Sequence, residues 1–137
     1  MTAITVTVAV VTAATGTAPT MTEARMTASI SQSSTIFAAQ TTYSTGSTPR
    51  SVNAVDVNGD GKPDIIVANY GSNNVGVLLN TGSGTFSAQT IYSTGILPDS
   101  VVAADVDGDG KPDIIVANYG SNNVGVLLNT GNGTFSA

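Results

Sequence analysis

The chain has 137 residues, of which 15 are Gly and 5 Pro, about one domain's worth of material with a backbone that turns often. Four Lys+Arg against nine Asp+Glu give a net charge of −5, the wrong sign for neutralising phosphates, so no nucleic-acid partner is expected. With no Cys and no His, disulfides, Ser-His or Cys-His nucleophile pairs and the usual zinc sites are excluded, and carboxylate, amide, hydroxyl and backbone oxygen remain, a palette for hard cations.

In chain order, the first element predicted is an extended strand over residues 3–13, where Ile4, Val6, Val8 and Val10 alternate with Thr5, Thr7 and Ala9. No Lys or Arg precedes it and its apolar run is too short to cross a bilayer, so it reads as part of the working protein, neither signal peptide nor membrane span. Such a strand would expose hydrogen-bonding edges if left unpaired, and it is expected to pair within a neighbouring copy or in a small sheet of its own. Next, Thr20 with Glu23 has the spacing of a helix capping box opening Met21 to Ser29, whereas the alternation of Met26, Ala28 and Ile30 fits a strand equally well. Residues 1–35 are therefore read as an N-terminal β and assembly segment.

From Phe37 onward the chain repeats itself. Residues 37–88 and 86–137 align at a shift of 49 and differ at nine of 52 positions, the signature of a supersecondary unit stacked on copies of itself. Within the unit, Ser51 to Val57 and Ser100 to Val106 are short and rich in β-branched residues, and Asp64 to Tyr70 and Asp113 to Tyr119 (DIIVANY in both) are continuous apolar runs of the kind covered on both faces. A Gly-Ser-Asn-Asn turn follows, then Val75 to Asn80, the Gly-rich Thr81 to Thr85, and Phe86 to Thr94. The reading is all-β, with propeller-type blades of four antiparallel strands and about two blades per chain; a β-solenoid is the alternative, but its rungs are usually shorter. In this frame residues 36–50 are a spare outer strand (Ile36 to Thr45) and link, 51–94 a full blade, and 100–137 a second blade lacking its last strand.

Between the first two strands of each unit lies an acidic loop, Asp56-Val-Asn58-Gly-Asp60-Gly-Lys62-Pro-Asp64 and Asp105-Val-Asp107-Gly-Asp109-Gly-Lys111-Pro-Asp113. Oxygen side chains at positions 1, 3, 5 and 9, Gly at position 6 for the sharp turn and the main-chain carbonyl at position 7 (Lys62, Lys111) are what wrapping one calcium ion demands. The loop opens like an EF-hand but has Val67 and Val116 where the bidentate Glu would stand, with Asp64 and Asp113 taking that part. Seven of the nine acids lie in these loops, and two Ca²⁺, structural in role, would change −5 to −1. Asp107 in place of Asn58 predicts tighter binding by the second loop. Turn formers alone would leave the carboxylate after Lys-Pro unexplained.

The string SVxAxDVxGDGKPDIIVANYGSNNVGVLLNTGxGTF resembles the FG-GAP or VCBS-type repeat found in the β-propeller of integrin α-subunits and in many bacterial surface and secreted proteins. The resemblance covers about residues 37–137, with Phe86-Ser87 and Phe135-Ser136 in place of the Phe-Gly element. It implies a propeller of the seven-bladed type with Ca²⁺ in hairpin loops; it does not imply a catalytic activity.

Two blades are too few to close a propeller. A spare strand at one end and a vacancy at the other predict head-to-tail strand donation between copies, giving a ring or a helical polymer; a fragment of a larger integrin-like propeller that binds proteins or glycans is the alternative. Only Glu23 and Asp99 lie outside the loops, so no enzymatic activity is expected. Charged residues at 9%, the sequon Asn132-Gly133-Thr134 and loops suited to millimolar Ca²⁺ point to an extracellular, surface-exposed protein covered by partners or sugars. Tyr43, Tyr70, Tyr92 and Tyr119 are candidates for stacking on sugars, though packing is the commoner role of a repeated Tyr.

Overall fold

The structure is a computed structural model that describes residues 39–136; the strand at 3–13, the capping box at Thr20 and the beginning of the spare strand at residue 36 lie outside them. Thr41–Ala137 forms one compact unit. It contains β1 (Pro49–Val55), β2 (Asp64–Asn69), β3 (Asn74–Leu78), β4 (Asn80–Gly82), β5 (Thr85–Phe86), β6 (Thr90–Ser93), β7 (Pro98–Ala104), β8 (Asp113–Asn118), β9 (Asn123–Gly131) and β10 (Thr134–Ser136). The all-β reading holds, with antiparallel four-stranded sheets of the propeller type. Among the described residues no helix is long and apolar enough to cross a membrane.

Each module begins with a three-stranded meander that its sequence dictates. The continuous run DIIVAN forms the central strand, paired on one side by the alternating segment before it and on the other by NVGVL after it. The predicted strand at Asp64 to Tyr70 stops one residue early, because Tyr70–Ser72 winds into a single 3₁₀ turn closed by Asn73 at φ 52°; Asn tolerates that left-handed conformation better than most residues.

The modules differ at their outer edge. In the first, β6 pairs with β3 and completes the order β1-β2-β3-β6, while β4 and β5 form a separate two-stranded arm. In the second, the equivalents of β3 and β4 fuse into the nine-residue β9, and β10, the counterpart of β5, pairs only with Leu128–Gly131. The fourth position of the second sheet is thus filled at one end of β9 alone.

Residues 39–45, the described part of the expected spare strand, carry no strand ladder. A strand needs a partner, and none lies beside them among the described residues. Tyr43 still packs edge-on against Phe86 at a ring-centroid distance of 5.4 Å, as Tyr92 does against Phe135 at 5.3 Å.

The core lies between the two sheets. Ile66, Ala68, Val75 and Val77 of the first and Val101, Ile114, Val116, Leu127 and Phe135 of the second form one apolar cluster, joined by Val57 at the edge of the acidic loop, with β1 and β2 packed against β7. The opposite face of the second sheet is apolar and open. Val124 is 65% exposed and Val126 42%, whereas their repeat counterparts Val75 and Val77 are 0% and 1% exposed.

Candidate metal centre

The two acidic loops connect β1 to β2 and β7 to β8, at the same corner of each sheet. Their winding depends on glycine: Gly59 and Gly61 have φ of 80°, and Gly108 and Gly110 have 82° and 86°, a region that side chains with a Cβ rarely enter. These turns aim successive amides at the first aspartate. Asp56 Oδ1 accepts from the amides of Asn58, Gly59 and Asp60 at 3.2, 2.7 and 3.2 Å, and Oδ2 from Gly61 at 2.7 Å. The amide of Asp60 also donates to Asn58 Oδ1 at 3.0 Å, and the amide of Lys62 to Asp60 Oδ1 at 2.9 Å.

The second loop repeats the scheme. Asp105 accepts from Gly108 and Gly110 at 2.7 and 2.8 Å, Asp107 Oδ1 from the amide of Asp109 at 3.1 Å, and Asp109 Oδ1 from the amide of Lys111 at 2.9 Å. One carboxylate oxygen from each of Asp105, Asp107 and Asp109 lies within 4.8 Å of the others, on an exposed rim. Calcium–oxygen distances of about 2.4 Å place opposite ligands roughly that far apart. The donor set and its spacing therefore fit a hard divalent cation held by oxygen alone.

Loop amides and lysines lower three of these carboxyls, Asp56, Asp60 and Asp109. The Gly61 amide, helped by those of Gly59, Asp60 and Asn58, holds the Asp56 carboxyl below the usual carboxylate range. Asp60 is lowered by the amide and then the ammonium of Lys62, and Asp109 by the ammonium and then the amide of Lys111. In return Asp109 raises Lys111. Lys62 Nζ sits 3.1 Å from Asp60 Oδ2, and Lys111 Nζ bonds Asp109 Oδ2 in the same way, so both lysines enter the loops through side chain and amide as well as through the carbonyl expected of position 7.

Asp64 and Asp113 stand apart from these clusters. Both are fully buried. Asp64 Oδ2 accepts from the amide of Val57 at 2.9 Å and Oδ1 from Asn80 at 2.7 Å; Asp113 does the same with Val106 at 2.9 Å and Asn129 at 2.8 Å. Each ties the first residues of its loop to the end of the third strand. The structure thus gathers positions 1, 3 and 5 at the rim and sets position 9 beneath them as a brace.

Sequence reasoning missed Asn80 and Asn129. Asn80 Nδ2 donates to the carbonyl of Pro63 at 2.9 Å, and Asn129 Nδ2 to those of Pro112 at 3.0 Å and Val57 at 2.9 Å. The last bond crosses from the second module to the first loop. The signal available was the polar residue ending two otherwise apolar VGVLLN strands.

The chain matches the FG-GAP-like repeat over residues 20–67, 56–116 and 105–137. The first of these begins well before Phe37, where the sequence resemblance starts, and takes in part of the segment 1–35. No curated protein and no solved structure matches it. With its repeats spanning residues 20–137 and its acidic loops set in propeller-type sheets, the chain belongs to the FG-GAP-like repeat family.

Proposed function

We propose that this protein is a calcium-stabilised, self-assembling extracellular structural subunit, the protomer of a surface fibre or pilus-like filament. The observation that carries the reading is the face of the second sheet, where Val102, Val124, Val126 and Leu128 stand in water, although the equivalent face of the first sheet is the buried side of the core. A sheet face this apolar is a contact surface, and its counterpart inside the same chain is covered by another module of the same kind. A second copy of the chain is the partner of matching chemistry.

Calcium is the cation the loops suit best. Asp56, Asn58 and Asp60 would hold one ion and Asp105, Asp107 and Asp109 another, the carbonyls of Lys62 and Lys111 completing the oxygen shell, with Asp64 and Asp113 as braces or further ligands. A bound ion would neutralise carboxylates that otherwise repel at close range, and its role is structural, with no catalytic part assigned to either site. Such loops work where Ca²⁺ is millimolar, outside cells, in keeping with the extracellular setting typical of FG-GAP repeats.

Sedimentation of the purified chain with Ca²⁺ and with chelator tests the reading. Large particles and a higher Tm in Ca²⁺ are expected; monomers at high protein concentration in Ca²⁺, or a Tm and particle size indifferent to chelator, would overturn it. One observation favours a second reading, an adhesion module of the integrin-propeller type that binds glycans: Tyr119 is 68% exposed and free to stack on a sugar ring. Glycan-array binding by calcium-loaded protein that is lost in Tyr119→Ala would support it.

A further inference from the structure

Of the chain's asparagines only Asn58 and Asn132 precede a glycine. At such a bond the following amide nitrogen reaches the side-chain carbonyl carbon most freely, because Gly has no Cβ in the way. At Asn58 the first acidic loop also places both reacting groups. The amide of Gly59 donates to Asp56 Oδ1 at 2.7 Å, so a proton acceptor already sits on the nitrogen that would attack. The amide of Asp60 donates to Asn58 Oδ1 at 3.0 Å, where it would stabilise the oxyanion that attack on Asn58 Cγ creates. Gly59 is exposed, with φ of 80° and open space where a Cβ would stand. Asp56, Asn58 and Gly59 line a cleft of about 390 Å³, roomy enough for the water that a hydrolysis needs.

Two comparisons inside the chain sharpen the point. At Asn132 the glycine is immobilised instead: Gly133 is buried, a Cβ there would come within 2.9 Å of Leu79, and its carbonyl is held by the Tyr92 hydroxyl at 3.3 Å. In the second loop the cradle of Asn58 recurs, with the amide of Gly108 donating to Asp105 Oδ1 at 2.7 Å and that of Asp109 to Asp107 Oδ1 at 3.1 Å. Residue 107, however, is a carboxylate with no ammonia to lose. Over these nine positions the loops differ only at Asn58 and Asp107, so one geometry surrounds an amide in the first module and its hydrolysis product in the second.

We propose that Asn58 is a site of self-modification, which deamidates to aspartate or isoaspartate in the calcium-free loop and is protected when a cation is bound. The Gly59 nitrogen bonds to Asn58 Cγ while its proton passes by way of Asp56 Oδ1 to the departing Nδ2. The Cγ–Nδ2 bond breaks, ammonia leaves, and a cyclic imide remains. Water then opens the ring, giving aspartate where the Gly59 nitrogen is released from Cγ and isoaspartate where it is released from the main-chain carbon. The aspartate product has the sequence of the second loop, DVDGDGKPD, with one more negative charge to offer Ca²⁺. The isoaspartate product lengthens the main chain inside a tight turn and spoils the ligand spacing. Protection rests on the calcium reading: an ion bound to Asp56 and to Asn58 Oδ1 competes for both groups that the reaction needs.

The test incubates the 137-residue chain in mildly alkaline buffer, with chelator or with Ca²⁺, and follows its proteolytic peptides by mass spectrometry. In chelator the exchange of NH₂ for OH should accumulate faster at Asn58 than at Asn132, and the two rates should even out when urea unfolds the chain and removes both surroundings. Ca²⁺ at about ten times its Kd should slow the Asn58 reaction about tenfold by mass action. A folded chain in which Asn58 reacts no faster than Asn132, or a preference that persists unchanged in urea, overturns the proposal. A rate that Ca²⁺ leaves unaltered overturns the protection and calcium occupancy of the first loop with it, while the amide chemistry stands.

Discussion

The buried brace at position 9 makes a prediction that separates architecture from metal binding. In Asp64→Ala, the amides of Val57 and Asn80 lose the carboxylate oxygens that accept them at 2.9 and 2.7 Å. Val57 is 3% exposed, so its amide has no route to water, while that of Asn80 is partly buried and can be hydrated in part. Hydrogen bonds to a charged acceptor contribute about 1.5–3 kcal/mol each, and an orphaned buried donor costs about 1–3 kcal/mol; the expected loss is about 2–5 kcal/mol. Urea unfolding followed by far-UV circular dichroism measures it, and the decisive condition is excess chelator, where metal ligation contributes nothing. Asp60→Ala is the control: its side chain is on the exposed rim, so in chelator it should cost within about 0.5–1 kcal/mol, with a larger loss only when Ca²⁺ binding stabilises the parent protein by mass action. If Asp64→Ala in chelator loses less than about 1 kcal/mol, or no more than Asp60→Ala, the brace is not what holds this corner and the assignment fails.

Three further outcomes are expected. Calorimetry with Ca²⁺ on Asp60→Ala, which keeps only the second loop intact, and on Asp109→Ala, which keeps only the first, should find the second loop tighter, because Asp107 brings a charge that Asn58 lacks; a tighter first loop would reject the ligand-charge argument. In chelator, stability should hold as pH falls from 7 toward 5. The carboxyls of Asp56, Asp60 and Asp109 are depressed when folded, so their contribution is complete above the unfolded carboxylate value near 3.9 and is lost only as pH drops below about 4. At the alkaline end the Lys111 contribution, raised by Asp109, persists to about pH 10.5 and falls away above it; thermal melts across both ranges check the signs. Finally, Val77→Ala should cost about 2 kcal/mol and Val126→Ala less than about 0.5 kcal/mol in dilute protein, since the first side chain is 1% exposed and the second 42%; equal losses would mean the open face is already covered in the isolated chain.

Much of this architecture could be read from the sequence because the repeat aligns every residue with a counterpart. The central strands and the loops between the first two strands of each module followed from periodicity and from DIIVANY, GSNN and DVxGDGKPD. What remained hidden is what depends on neighbours. Asp64 and Asp113 look like ninth-position ligands in one dimension, and only the fold sends both of their oxygens to backbone amides. The identical segments VGVLLNTG gave β3 and β4 in one module and a single β9 in the other, because β6 pairs with one and nothing among the described residues takes that place on the other. Thr41–Ser44 failed to form a strand for the same reason: propensity proposes a strand, and a partner's hydrogen bonds decide it.

In the proposed reading, the link between cation and assembly runs through Asn129. Its amide donates to Asp113, the brace of the second loop, and its side chain donates to the carbonyl of Val57 in the first loop, whose own amide is held by Asp64. A continuous path of hydrogen bonds therefore runs from one acidic loop to the other, across the boundary between modules. Val57 is also part of the core cluster that holds the two sheets together, so a loop fixed by a cation fixes the angle between adjacent sheets as well. In the proposed assembly that angle would be repeated at every joint, and a small uncertainty in it would accumulate into irregular growth. In the proposed reading, cation loops at the module boundary make the inter-module geometry, more than the fold of one sheet, the quantity that calcium would control. In Asn129→Ala, the bond between modules is cut while the carboxylates of both loops remain, so calcium should still bind but should no longer sharpen the particle-size distribution.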